Sequence, residues 1–184
     1  QFMKKTNPYA SASTWTGLVV AVAPLAGQEM LYAALFAESG GIYRKNYEKP
    51  DAPEGMVLSE IGLFVHDIHA RGSQVVFAAD GIQGQRHIGM LGRDKPGYVY
   101  LTEGDTKDDR PFLSADGRWV YYASAGYARA ESGAISQMGP SGLLRVRTDG
   151  SDLEELEASD GFDCLRPKVA ADGSLYYIKR PYTQ

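Results

Sequence analysis

One short segment decides the fold of this chain, Gly117-Arg118-Trp119-Val120-Tyr121-Tyr122-Ala123-Ser124, because similar segments recur along the sequence. The other copies begin at Gly27, Gly72 and Gly173, and each has a glycine, one or two polar residues and an apolar run. The first three glycines are spaced 45 residues apart, and the fourth follows after 56. A repeat of this length indicates a solenoid or a propeller, built by repeating one supersecondary unit.

Each period contains four candidate strands. An apolar run precedes each glycine, and in two copies the intervening turn is Asp-Gly, which is typical of a β-hairpin (Asp116-Gly117 and Asp172-Gly173). Third strands are predicted at residues 41–44, 86–90 and 143–147, and fourth strands at 57–58, 98–101 and 153–156. Four strands of about six residues with connections of about five fill this period. The sequence therefore predicts an all-β protein made of β-propeller blades, each with four antiparallel strands.

The number of blades is smaller than a propeller normally needs. We predict a single domain over residues 1–184, with blades at about 14–59, 60–104, 105–159 and 160–184, or about three and a half to four blades. Propellers close with about four to eight blades, and closure removes exposed sheet edges. We expect a partial propeller, either a piece of a longer one or one completed by a partner chain. The alternative is a small four-bladed ring in which residues 1–13 add a strand to the last blade.

Composition and charge exclude two classes of protein. The chain is 43% hydrophobic and 23% charged, which is ordinary for a globular domain, and its net charge is −4. Lys and Arg are scattered, so the basic stripe that nucleic-acid binding requires is missing. No apolar stretch reaches the roughly 18–20 residues of a membrane-spanning helix. The single cysteine, Cys164, excludes an internal disulfide.

The first residues allow two interpretations. Met3-Lys4-Lys5 followed by the largely apolar residues 15–23 resembles the charged and apolar regions of a secretory signal. Residues 18–23 also fit a buried strand, and we favour the strand because the residues after it fall into register with the repeat.

The third copy of the repeat carries a family resemblance. Residues 108–122, Asp-Asp-Arg-Pro-Phe-Leu-Ser-Ala-Asp-Gly-Arg-Trp-Val-Tyr-Tyr, closely resemble the D-x-x-P-x-x-S-x-D-G-K-x-I-x-F signature of TolB-like propeller repeats. The fourth copy is similar, with Cys164 in place of the first aspartate and Ala170 in place of the serine. The first two copies keep only the glycine and the following strand, with Ala26 and Arg71 in place of the second aspartate.

The resemblance covers about residues 18–180 and implies the propeller fold more specifically than it implies a function. Such blades occur in Tol-system proteins, in accessory domains of peptidases and in many surface proteins. By resemblance we expect a periplasmic or extracellular location.

A longer connection in the third period is the candidate binding site. The 11 extra residues lie within about 126–139, between the second and third strands, and this connection shares a rim with the blade-to-blade loops. We predict that this rim loop binds a partner through Tyr127, Arg129, Glu131 and Met138, because Tyr, Arg and Met are enriched in interfaces. The alternative is a tolerated surface insertion.

Motifs for metals and catalysis are missing. His66 and His69 point to opposite faces of a strand, so they cannot easily chelate one ion. The acidic residues at 105–109 and 149–152 lack the 12-residue calcium-loop pattern. The nearest approach to a nucleophile elbow, residues 139–142, has the wrong spacing, and Cys164 lies in no haem-attachment motif. We therefore predict no catalytic residue, no metal and no cofactor in this chain.

Together these observations predict a non-catalytic TolB-like propeller module that mediates protein–protein interaction in the cell envelope. Its expected partner is another protein or a second chain that completes the propeller, without nucleic-acid binding or membrane insertion. The alternative is an accessory or substrate-gating propeller domain of a larger, prolyl oligopeptidase-like hydrolase, whose catalytic residues lie outside these 184. A subunit of a multi-protein enzyme complex is a further possibility.

Overall fold

The computed structural model describes residues 17–36, 38–49, 51–81, 83–92, 97–158 and 161–183, and over these residues it contains strands and no helix. The strands are β1 (Leu18–Pro24), β2 (Glu29–Leu35), β3 (Ser39–Asn46), β4 (Gly55–Ile61), β5 (Phe64–Arg71), β6 (Gln74–Asp80), β7 (Arg86–Leu91), β8 (Tyr98–Tyr100), β9 (Thr106–Leu113), β10 (Trp119–Arg129), β11 (Ile135–Met138), β12 (Gly142–Arg147), β13 (Glu154–Glu157), β14 (Phe162–Val169) and β15 (Leu175–Pro181).

The strands form successive antiparallel meanders. The first blade has the order β1-β2-β3-β4, the second β5-β6-β7-β8, and the third β9-β10-β12-β13. The last sheet is the two-stranded hairpin β14-β15. The prediction of an all-β, partial propeller with four-stranded blades is confirmed. A single parallel bridge between Arg86 of β7 and Lys107 of β9 joins the second and third blades into one continuous sheet.

Strand positions agree with the repeat except at two ends. Strand β8 ends at Tyr100 and β13 begins at Glu154, so Leu101 and Leu153 lie outside the strands to which we assigned them. Residues 18–23 form most of β1, which confirms that they are a strand. The signal-like Met3-Lys4-Lys5 and the proposed extra strand from residues 1–13 lie outside the described residues. Within the described residues, no helix has the length and apolarity needed to cross a membrane.

The repeated glycine follows from the backbone of the turn between the first two strands of each blade. Its φ is positive in all four copies, at 73°, 58°, 69° and 86° for Gly27, Gly72, Gly117 and Gly173. This left-handed conformation costs glycine little, whereas a Cβ makes it unfavourable for other residues. The glycine spacing in the sequence therefore marks the same turn in every blade.

The first strand of each blade also carries an irregularity. The pairing register shifts between Val65 and Asp67 in β5, and again between Leu165 and Lys168 in β14. The corresponding shift between β9 and β10 falls beside Arg110. Such bulges redirect side chains and increase the local twist. Here they lie on the strands that face the centre of the propeller.

The core consists of layers between neighbouring blades. Strand β1 packs against β5, β5 against β9, and β9 against β14. Strand β6, an interior strand of the second blade, is buried on both faces, because alternate residues pack into the layers on either side of it. The layer between the third and last blades is the smallest and is centred on Ala123, Leu143 and the buried Cys164.

Apolar side chains are exposed at both ends of this arc of blades. On the first blade, the face turned away from the second blade exposes Val19 (54%) and Val22 (55%). On the last hairpin, Tyr176 (61%) and Ile178 (52%) are exposed. Between interior blades, residues of this type are buried. Each end face therefore resembles half of a blade-to-blade layer.

Candidate functional site

The predicted rim loop is a β-hairpin, so describing it as a loop was wrong. Strand β10 continues to Arg129, well past the blade, and β11 folds back onto this extension. Tyr127 pairs with Met138, and Arg129 pairs with Ile135. We call residues 126–139 the rim hairpin. The sequence could not show the extra pairing because these residues have no counterpart in the other copies of the repeat.

Arg129 fixes the base of the rim hairpin. Its Nε and Nη2 donate to the two carboxylate oxygens of Asp105 at 2.7 and 2.6 Å, a bidentate pair. Its Nη1 donates to the carbonyl of Gly133 at 2.7 Å, and Nη2 also donates to the carbonyl of Gln83 at 3.2 Å. Hydrogen bonding to Arg129 lowers the pKa of Asp105. The guanidinium therefore ties the hairpin to a blade-to-blade connection and to the β6–β7 connection.

The other three residues predicted for the site differ in their exposure and in their backbone hydrogen bonds. Tyr127 is half-buried, and its backbone N–H donates to the Asp105 carbonyl at 2.9 Å. Glu131 and Met138 are exposed, and the Met138 carbonyl accepts a hydrogen bond from the Tyr182 hydroxyl. Sequence reasoning missed Ile135, which is also exposed on β11. A β-branched apolar residue in a predicted surface loop was the available signal.

A second candidate site lies where the first strands of the four blades meet. This axial cavity has a volume of about 440 Å³ and is lined by residues from β1, β5, β9 and β14: Val22, Ala23, Pro24, Asp67, Ile68, His69, Ala70, Arg110, Pro111, Phe112, Arg166, Pro167 and Lys168. It could not be predicted from the sequence, because it requires four strands that are about 45 or more residues apart to lie side by side.

Charged and aromatic groups face each other in the axial cavity. Arg110 Nη1 donates to Asp67 Oδ2 at 3.1 Å, while burial raises the pKa of Asp67. His69 Nδ1 accepts the backbone N–H of Leu113 at 3.1 Å, and its ring lies 4.3 Å from that of Phe112. Burial, together with Arg71 and Lys168, lowers the pKa of His69 to about 4. His69 is therefore neutral at pH 7.

The two histidines that we considered for metal binding have different partners. His66 Nε2 lies 2.6 Å from Asp80 Oδ2, whereas His69 hydrogen-bonds to the Leu113 backbone. Within the part of the chain that the structure describes, no three His, Cys, Asp or Glu side chains converge as a metal site would require.

A buried cluster of Ser, Asp and His has the wrong order for nucleophilic catalysis. Ser124 Oγ donates to Asp108 Oδ1 at 2.6 Å, and His87 Nδ1 lies 3.7 Å from Asp108 Oδ2. In a catalytic triad the histidine stands between the nucleophile and the acid, so that it can take the hydroxyl proton. Here the aspartate stands in the middle, and its hydrogen bond ties β9 to β10. The first aspartate of the repeat signature therefore has a structural role in this blade.

Comparison with known proteins identifies the fold. The sequence matches no protein-family model and no curated protein. In structure the chain is similar to a protein of Agrobacterium tumefaciens assigned as a TolB (TM-score 0.63, 19% identity, 84% of this chain and 51% of that one). It is also similar to TolB of Acinetobacter baumannii (TM-score 0.62, 17% identity, 92% of this chain and 39% of that one).

A third similar structure is an enzyme. It is a puromycin-hydrolyzing peptidase of Mycobacterium tuberculosis (TM-score 0.65, 16% identity, 86% of this chain and 27% of that one). The chain thus spans about half or less of the proteins that it resembles. Its fold is a partial β-propeller similar to part of the propeller in the TolB structures.

Proposed function

We propose that this chain is a non-catalytic part of a TolB-like propeller that binds another protein through the rim hairpin. The observation that carries the proposal is that the rim hairpin is exposed while its base is fixed to the blades. Ile135 and Met138 are exposed on β11, while Arg129 holds the base of the hairpin through Asp105. A hairpin that is already ordered loses little conformational entropy when it binds.

The expected setting is the cell envelope, in the periplasm or outside the cell. The resemblance to TolB-like repeats implies this setting, and the similarity to the TolB structures supports it. In this proposal the partner is a protein, and the propeller serves as the scaffold that presents the hairpin.

Site-specific photocrosslinking in cells tests the role of the hairpin. A crosslinking amino acid placed at Ile135 should give an adduct of discrete mass, and the substitution Met138→Glu should abolish it. The same amino acid placed at Leu153 is the control, because Leu153 is exposed in the β12–β13 turn. In an antiparallel blade that turn lies on the opposite rim. Identical adducts from both positions, or none from Ile135, would contradict the proposal.

A second candidate function is an accessory or substrate-gating propeller of a larger hydrolase. The similarity to a puromycin-hydrolyzing peptidase, of which the chain covers 27%, favours it. In that case the catalytic residues belong to another domain. An α/β domain with a nucleophile elbow in the adjoining gene sequence, and peptide hydrolysis by the full-length protein, would select this function over the first.

A further inference from the structure

Two arginines occupy equivalent positions in successive blades, and both line the axial cavity. Arg110 of β9 precedes Pro111, and Arg166 of β14 precedes Pro167. Both have positive φ, 58° and 54°, in the bulge of the strand. This conformation is uncommon for residues other than glycine, and clusters of such residues occur at ligand-binding sites.

The charges in the axial cavity do not balance. Arg110, Arg166 and Lys168 contribute three positive charges and Asp67 one negative charge, so two positive charges remain. Arg110 is paired with Asp67 at 3.1 Å. Arg166 and Lys168 lie on the exposed side of the bulge in β14 and line the same cavity. Burial first, and then the charges of Arg71 and Lys168, lower the pKa of His69, so this side chain adds no charge to the cavity at pH 7.

Apolar side chains also line the cavity. Val22 and Pro24 of β1 and Phe112 of β9 line it, and the Phe112 ring is held against His69. A cavity of about 440 Å³ is within the range of sites that bind small organic molecules.

We propose that the axial cavity binds a small organic anion, in which a carboxylate or phosphate group is attached to an apolar portion. Arg166 and Lys168 hold the anionic oxygens, and Phe112 and Val22 contact the apolar portion. The planar guanidinium suits both groups, because its parallel N–H donors match two oxygens at once. This site is separate from the rim hairpin, so a test of it does not depend on the function proposed above.

Calorimetric titration of the purified protein with four probes tests the site. The probes are N-acetylphenylalanine, its uncharged amide, phenyl phosphate and inorganic phosphate. We expect the amide to bind at least tenfold more weakly than the acid, and inorganic phosphate more weakly than phenyl phosphate. Binding of the acid or the phosphate ester should weaken as salt is raised, because the attraction is partly Coulombic. A preference between acid and ester identifies the anionic group.

Three variants locate the binding. Arg166→Asn removes the charge but keeps a residue that tolerates positive φ, and Lys168→Gln removes the second charge. Each should weaken binding of the preferred anion about tenfold, a size typical of a lost charged hydrogen bond. Arg44→Gln is the matched control, because Arg44 is an exposed arginine on β3 that pairs with Glu29. It should leave binding unchanged.

Several results would overturn the proposal. These are equal binding of the acid and the amide, absence of binding by every probe, and equal losses in the Arg44 and Lys168 variants. Thermal unfolding of each variant shows whether it is folded. If Arg166→Asn fails to fold, Lys168→Gln decides the test, because Lys168 lies beyond the strained residue.

Discussion

Gly89 of β7 lies directly opposite Phe77 of β6, and the aromatic ring covers it. A Cβ added at Gly89 would lie 2.4 Å from the ring, and Phe77 is completely buried. We predict that Gly89→Ala lowers the free energy of unfolding by about 1–3 kcal/mol, since the ring has no room to move. Chemical denaturation measures the change.

Gly126 provides the control for this prediction. It lies on β10, has no neighbouring atom within 4 Å of an added Cβ, and its φ is not positive. Gly126→Ala should change stability by less than about 0.5 kcal/mol. Equal effects at both positions would show that the close contact with Phe77 is not the cause.

His69 makes stability depend on pH. An ordinary histidine has a pKa of 6.5, and in the folded protein burial lowers the pKa of His69 to about 4. Between these values the unfolded chain binds more protons, so stability is complete above pH 6.5 and falls as the pH drops toward 4. Because His69 is only partly buried, we expect a loss of about 1–2 kcal/mol.

Denaturation at pH 5 and pH 7.5 measures this loss. His69→Asn should remove that part of the pH dependence, because the asparagine oxygen can still accept the Leu113 N–H but does not titrate in this range. An unchanged pH dependence in the variant would show that other groups are responsible.

At the scale of single residues, the sequence identifies residue types better than their partners. Arg129 was predicted as a binding residue of the insertion, and that role stays a prediction; its bidentate bond to Asp105 joins positions 24 apart, which the sequence could not show. Arg110 and Arg166 precede prolines in aligned copies of the repeat, which was a visible signal. Their position at the axial cavity could not be predicted from the sequence, because it depends on how four separate strands pack.

The rim hairpin depends on Arg129 for its attachment to the rest of the molecule. We predict that Arg129→Gln loosens the hairpin and increases cleavage after Glu131 by a glutamate-specific protease several-fold, while the thermal midpoint of the blades stays the same. Exposed ion pairs contribute little to global stability, so the effect should remain local. Limited proteolysis followed by mass spectrometry measures it.

A second exposed ion pair gives the matched control. Arg147 Nε lies 2.6 Å from Asp152 in the turn after β12. Arg147→Gln should leave cleavage after Glu131 unchanged. If it accelerates cleavage as much as Arg129→Gln does, the hairpin is not held by its own arginine.

At the scale of elements, the strands of the blades were predicted more completely than the rim hairpin. The glycine spacing located the first hairpin of every blade, because the same turn requires the same backbone conformation each time. The extension of β10 could not be located in this way, since nothing else in the chain has the same length between its second and third strands.

At the scale of the whole molecule, two apolar end faces are exposed, and we expect them to promote association in solution. We predict a mass above the 20.0 kDa of one chain in light scattering, because exposed apolar surface of this kind favours association. The double substitution Tyr176→Glu and Ile178→Glu should return the mass to that of one chain without changing stability, since both side chains are exposed.

Leu153→Glu is the control for the end face. It also replaces an exposed apolar residue, but in a turn outside the end faces. It should leave the association unchanged. A compact monomer of the unmodified chain would contradict this prediction and would instead favour a small closed ring.

One backbone contact gives the molecule an uneven mechanical character. The parallel bridge between Arg86 and Lys107 makes the second and third blades a single hydrogen-bonded sheet, whereas the first blade and the last hairpin are separate sheets. One backbone hydrogen bond outside the sheets, from the Cys164 N–H to the Ser141 carbonyl at 2.7 Å, also holds the last hairpin to the third blade. Backbone amides of β6 and β10 should therefore exchange with deuterium last, and those of β14 and β15 earlier. In a chain pulled from both ends, the outer sheets would peel away first and leave the middle pair as the final resisting unit.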